Sequence, residues 1–128
     1  MGRYLLDTLT ILWWLKNSKK LGKKSIKTTS NPDNEVYVSA VNLWEICIKK
    51  KIGKLKAPDN LVSICEEKGF LPLPITLTDG EELYRPPFLH KDPFDRMLVV
   101  QAQNNHLAII TNDEHIPKYN IITIQASQ

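Results

Sequence analysis

The sequence predicts one α/β domain over residues 1–128: a doubly wound sheet of about five mostly parallel strands with helices on both faces. Three observations lead there. First, five short β-branched or aliphatic runs are spread along the chain: "RYLLDT" (3–8), "VYVSA" (36–40), "FLPLPIT" (70–76), "LAIIT" (107–111) and "IITI" (121–124). Second, helical periodicity fills the gaps between the first four. Third, 128 residues, 42% hydrophobic and 24% charged, suffice for one domain with a core of its own and are too few for two. Strands alternating with helices in so short a chain imply a largely parallel sheet covered on both sides.

Each element has its own signal. Ile11, Leu12, Trp14 and Leu15 begin a helix after the first run, and the lysine-rich segment 18–29 makes a second. "NPDN" (31–34) is a turn that ends it. Residues 42–52 form a helix closed by Gly53. Asn42 is placed at its N-cap, with Glu45 three residues on in a capping-box arrangement. Asp59 is placed as the N-cap of a helix over 60–68, closed by Gly69. A short helix near 78–84 precedes "RPP". The clearest signal is the helix from Pro93 to about Asn105: Asp92 supplies the N-cap acceptor and Pro93 fits the first helical position.

Bulk composition excludes several classes. No apolar run approaches the roughly 18 residues of a membrane span. Asp7 interrupts the apolar stretch near Met1 and no small-residue cleavage site follows, so that stretch is not read as a signal peptide. Cys47 and Cys65 lie apart in helix-like segments, which fits a reducing, cytoplasmic setting and argues against a zinc site. Net charge is +3, unevenly spread: residues 16–27 and 49–56 carry 11 of the 17 basic residues. Such clusters suit a polyanion, although solvated helix faces look the same by charge alone.

Right-handed crossovers place every strand's carboxyl end on one edge of such a sheet, and ligands bind there where the strand order reverses. Asp7 ends the first strand and Asp113 follows the fourth. Glu45, expected in the first turn of its helix, and Asp95, one turn into the Pro93 helix, can reach the same edge. A lone buried carboxylate costs several kcal/mol. Four together repel one another, and some take up protons unless a cation lies among them. Oxygen donors with no His or Cys pattern select Mg²⁺ or Mn²⁺. An acidic pocket beside lysine-rich helices suits metal-assisted attack on a phosphodiester, with lysines on the flanking phosphates.

Together with "YLLDT" (4–8), "VSAVNLWEICIK" (38–49), "GKL" (53–55), "LPI" (73–75), "HKDPFDRMLVVQA" (90–102) and "ITND" (110–113), the sequence resembles the PIN-domain ribonucleases, most closely the VapC-type toxins of toxin–antitoxin pairs. The resemblance implies Mg²⁺- or Mn²⁺-dependent cleavage of RNA at an acidic site on Asp7, Glu45, Asp95 and Asp113. It also implies a cognate antitoxin, a homodimer and no membrane association. One departure is Leu9, where relatives often carry histidine. It leaves the four acids intact and favours, mildly, an alternative: a catalytically weak PIN-fold module that binds RNA or protein. A haloacid-dehalogenase-type phosphotransferase would want a second aspartate at that same position.

Other residues are read with restraint. Lys49, Lys50 and Arg96 are candidates for RNA phosphates, with Arg96 otherwise pairing a neighbouring acid. Thr8 and Thr111 either bond the acids or satisfy backbone. His90 reads as a loop histidine rather than a ligand. Trp13, Trp14 and Trp44 read as core or interface rather than as base-stacking platforms.

Overall fold

The computed structural model describes residues 1–128. Its elements run β1 (Arg3–Leu6), α1 (Thr8–Leu15), α2 (Lys23–Ser30), β2 (Glu35–Ser39), α3 (Ala40–Lys51), α4 (Leu61–Glu67), β3 (Leu71–Leu73), α5 (Leu77–Glu82), α6 (Pro93–Asn105), β4 (Ala108–Thr111) and β5 (Thr123–Gln125), with one 3-10 turn at Ile116–Lys118. The five strands form one sheet in the order β3-β2-β1-β4-β5, and every neighbouring pair is parallel. The chain winds outward from β1 through β2 to β3, then returns to lay β4 against the other side of β1. The reversal therefore falls between β1 and β4.

The two faces of the sheet can be read from adjacent residues. Side chains alternate along a strand. Leu6 and Ile110 accordingly join a core with Ile11, Leu12, Ile46, Leu61 and Cys65, while Leu5 and Ile109 join another with Val41, Leu98, Val99 and Ala102. Helices α1 and α4 cover the first face and α6 the second. Helix α3 contributes to both, through Ile46 and Val41. Leu98, Val99 and Val100 are fully buried in α6. At about 1.5–3 kcal/mol for each such side chain, this helix is fixed by packing rather than by propensity.

Several boundaries differ from the sequence reading, for local reasons. Helix α3 starts earlier than residue 42, because Ser39 is its N-cap. The Ser39 hydroxyl accepts from the Val41 amide at 3.0 Å, and Asn42 closes the capping box by accepting from the Ser39 amide at 2.8 Å. Asn42 is thus at N3, and Glu45 lies beyond the first turn. Asp59 does not cap α4; it is exposed and pairs with Lys50, while the cap position is Asn60, with no side-chain bond. The lysine-rich helix begins only at Lys23. Strand β3 is three residues long because Pro72 and Pro74 lack amide donors, a defect tolerated here because β3 is an edge strand. Gly53 and Gly69 close α3 and α4 as expected, with φ of 77° and 80°, the left-handed region that glycine enters at little cost. No helix is long and apolar enough to cross a membrane.

Candidate active site

The carboxyl edge at the β1–β4 reversal gathers acids from four elements. Asp7 follows β1 directly; its amide extends the ladder by donating to the Ile110 carbonyl at 3.2 Å. Its side chain caps α1, with Oδ1 accepting from the Thr10 amide at 2.9 Å and the Thr10 hydroxyl at 2.5 Å. The Thr111 hydroxyl, at the end of β4, donates to Oδ2. Asp7 is 5% exposed. Burial raises its pKa above the ordinary aspartate value, against the Thr10 and Thr111 hydroxyls, which favour the charged form.

Glu45 projects from α3 and is 4% exposed. The Thr8 hydroxyl donates to its Oε1 at 2.6 Å and receives a bond from Asn42 Nδ2 at 3.1 Å. Lys49, one turn further along α3, pairs with its Oε2 at 2.5 Å. That bond is the chief cause holding the Lys49 ammonium above its usual pKa. Thr8 and Thr111 therefore bond the acids themselves.

Asp95 and Asp92 divide the helix start between them. Asp92 Oδ1 accepts from the Phe94 amide at 2.8 Å and the Asp95 amide at 3.2 Å, with Pro93 opening the helix. Asp95 makes no such bond and points to the edge. Burial, followed by repulsion from Asp92, Asp7, Asp113 and Glu45, pushes its pKa up to about 7. Asp7, Glu45 and Asp113 thus all act on Asp95, but of the four acids only Asp95 and Asp113 belong to a group with ligand atoms within 4.8 Å of one another.

Asp113 sits in the turn after β4. Its Oδ1 accepts from the His115 and Ile116 amides at 2.7 and 3.0 Å. Burial opposes its ionisation, but those amides and His90 outweigh it and hold its pKa below the ordinary value. Oδ2 remains directed at the cluster.

His90 lies in a loop, as the sequence reading has it, with its side chain turned into the acids. Its Nε2 lies 2.9 Å from Asp95 Oδ2 and 3.2 Å from Asp113 Oδ2, and its ring packs against His115 at 4.7 Å between centroids. Ligand atoms of His90, Asp95 and Asp113 all fall within 4.8 Å of one another. The only sequence signal was its place two residues before the Asp92 cap.

The basic candidates are placed less simply. Lys49 is tied to Glu45 and Lys50 to Asp59. Arg96 pairs with no acid: it donates to the Leu83 and Pro87 carbonyls, both at 3.3 Å, and lies over the Phe88 ring. It pins the segment that carries His90. Trp13 and Trp14 pack partly into the core, Trp14 against Phe70, whereas Trp44 is 58% exposed with its edge on Phe94.

The PIN domain family model matches residues 4–122. No curated protein matches the sequence. Among solved structures, the chain is similar to VapBC2 from Rickettsia felis bound to a DNA fragment from their promoter, with TM-score 0.70, 12% identity, and 95% of this chain and 97% of that one covered. It is similar to FitAB bound to an IR36 DNA fragment, with TM-score 0.55, 12% identity and coverage of 98% and 96%. FitAcB from Neisseria gonorrhoeae matches with TM-score 0.53, 14% identity and coverage of 96% and 97%. At these identities the structures speak for the fold; the family match over nearly the whole sequence carries the assignment. The chain belongs to the PIN domain family.

Proposed function

We propose that the chain is a metal-dependent endoribonuclease, the toxin of a type II toxin–antitoxin pair, working in the cytoplasm on RNA with Mg²⁺ or Mn²⁺ held by Asp7, Glu45, Asp95 and Asp113. The observation that carries this reading is the clustering of donors at the carboxyl edge: Asp95 and Asp113 bring ligand atoms, with His90, within 4.8 Å of one another, and Asp95 is further crowded by Asp92, Asp7 and Glu45. No lysine or arginine pairs with Asp7, Asp95 or Asp113; Lys49 neutralises Glu45 alone. The residues present therefore fit a divalent cation, because oxygen-rich sites of excess negative charge are what hard dications bind.

When bound, the cation supplies Lewis acidity at the phosphodiester and makes water acidic enough to attack near neutral pH. The chain's own contribution is to hold the donors still. Thr10 and Thr111 fix both oxygens of Asp7, Thr8 and Lys49 fix Glu45, and the His115 and Ile116 amides fix one oxygen of Asp113. Lys49, beside the cluster, and the lysines beyond it favour the phosphate backbone. In the hydrolysis a water oxygen bonds to phosphorus, one P–O ester bond breaks, and the departing oxygen takes a proton.

The fold shared with VapBC2 supports a cognate antitoxin protein as partner, and the toxin class resembled supports a homodimer. A second reading, a weakly active binding module, is favoured by one residue: Leu9, 48% exposed, stands where the resemblance to VapC-type toxins implies histidine. The test is incubation of purified protein with a mixed RNA pool in chelator, then in Mg²⁺ and in Mn²⁺. Cleavage is expected only with metal. RNA binding without cleavage in either metal would favour the second reading.

A further inference from the structure

The four acids leave one side chain unexplained. His90 sits between two of them, on a segment that the sequence alone marks as an ordinary loop. It is held there from several directions. Arg96 binds the carbonyls of Leu83 and Pro87 on the approach to it. The Leu89 amide donates to the Tyr119 hydroxyl at 3.3 Å. The His115 ring backs it, and the Nδ1 of His115 is buried with no hydrogen-bond partner. The His90 side chain is only 14% exposed.

Its spacing is informative. Neighbouring ligands of an octahedral ion at about 2.1 Å lie roughly 3 Å apart. His90 Nε2 stands 2.9 Å from Asp95 Oδ2 and 3.2 Å from Asp113 Oδ2. With all three donor atoms within 4.8 Å of one another, they can close on one face of an ion. A mixed nitrogen and carboxylate face suits first-row transition dications, whereas Mg²⁺ keeps to oxygen and to its waters. Ligation through Nε2 needs the ring proton on Nδ1. Without an ion, Nε2 donates to the two carboxylates and Nδ1 accepts from the Asp92 amide at 3.4 Å, so a bound ion replaces the Nε2 proton between the same oxygens and the ring proton moves to Nδ1.

We propose that His90 is a nitrogen ligand of the cation, completing a His90–Asp95–Asp113 face, and that it makes this a site for a transition dication such as Mn²⁺ in preference to Mg²⁺. The inference rests on the acid cluster being a metal site, and the experiment separates the two. Mn²⁺ and Mg²⁺ are titrated separately by calorimetry into wild type, His90→Gln, His90→Asn and Asp95→Asn, each checked for native circular dichroism. The Mn²⁺ complexes are then examined by pulsed electron paramagnetic resonance for coupling to a ¹⁴N nucleus.

Wild type is expected to bind Mn²⁺ more tightly than Mg²⁺ and to show histidine nitrogen coupling. Both His90 variants should lose the coupling and bind Mn²⁺ about tenfold or more weakly, the scale on which even outer partners of metal ligands act. Their Mg²⁺ affinity should barely change, since an amide oxygen replaces the imidazole. Asp95→Asn should weaken both metals. Wild-type Mn²⁺ binding without nitrogen coupling, or unchanged affinity in both His90 variants, would overturn the ligand assignment and leave the metal site standing. Tighter binding by the variants would overturn it too, making His90 a competitor of the ion. If wild type binds neither metal, the acid cluster is not a metal site and the ligand assignment falls with it.

Discussion

Asp92 and Asp95 stand three residues apart at one helix start, and substitution should separate a cap from a ligand. Asp92→Ala removes the acceptor of two amides at 2.8 and 3.2 Å, which costs about 1 kcal/mol, and up to about 2 where a cap is well formed. Losing an anion at the helix N-terminus adds about 0.5 kcal/mol. Relief of its repulsion on Asp95 works the other way. The net loss should be about 1 kcal/mol, or a melting point lower by about 4 °C for a domain of this size. Asp92→Asn keeps the acceptor and should unfold close to wild type. Asp95→Asn should instead stabilise the protein in chelator at a pH of about 7.5. The carboxyl there is raised from 3.8 to about 7, so ionising it in the fold costs energy, bounded at about 4 kcal/mol. The assay is urea unfolding of wild type and these three variants in chelator, compared at a common m-value. Destabilisation by Asp95→Asn would refute the crowding of charge. An unaltered midpoint for Asp92→Ala would refute the cap.

Other consequences follow from the same groups. Thr111→Val preserves shape but takes a donor from the buried Asp7 carboxylate; it should cost about 1–3 kcal/mol in thermal unfolding, and no loss would mean that water replaces the hydroxyl. The raised Asp95 pKa also sets a pH dependence in chelator. Between 3.8 and about 7 the folded protein binds the extra proton, so this group's contribution to stability falls as pH rises through that window and is level above it. The difference between wild type and Asp95→Asn should show that slope, and parallel curves would contradict it. Replacing Lys49 and Lys50 by glutamine should lower the salt slope of RNA affinity by about 0.7 for each phosphate no longer neutralised. An unchanged slope would confine both lysines to their pairs with Glu45 and Asp59.

What the sequence revealed was what neighbouring residues decide. Asp92 before Pro93 sets a cap within three residues, and the structure keeps it. Apolar runs between helical periods pointed to a parallel sheet, and the right-handed crossover rule brought Asp7 and Asp113 to one edge. Long-range partners were hidden. His90 meets Asp113 across 23 residues of chain, through a segment tied down by Arg96 and Tyr119, and no local pattern encodes that meeting. The sequence sets Arg96 against acids and phosphates because its charge is visible there, while the carbonyls of Leu83 and Pro87 that it binds are not. The sequence points to Asn42 as the α3 cap because Ser39 and Asn42 both cap well. The choice fell to Ser39, whose hydroxyl also donates to the buried Gln101 side chain at 2.6 Å.

The most direct measurement is the chemistry of the cut ends. Wild type, Asp7→Asn and Asp95→Asn are incubated with one labelled RNA in chelator and in Mn²⁺, and the product termini are identified by mass. Wild type with Mn²⁺ should give ends produced by water, one fragment with a phosphate monoester and its partner with a hydroxyl, while both variants should be slower by about two orders of magnitude or more. Cyclic phosphate ends, or cleavage that persists in chelator and in both variants, would contradict metal-dependent hydrolysis at this cluster of acids.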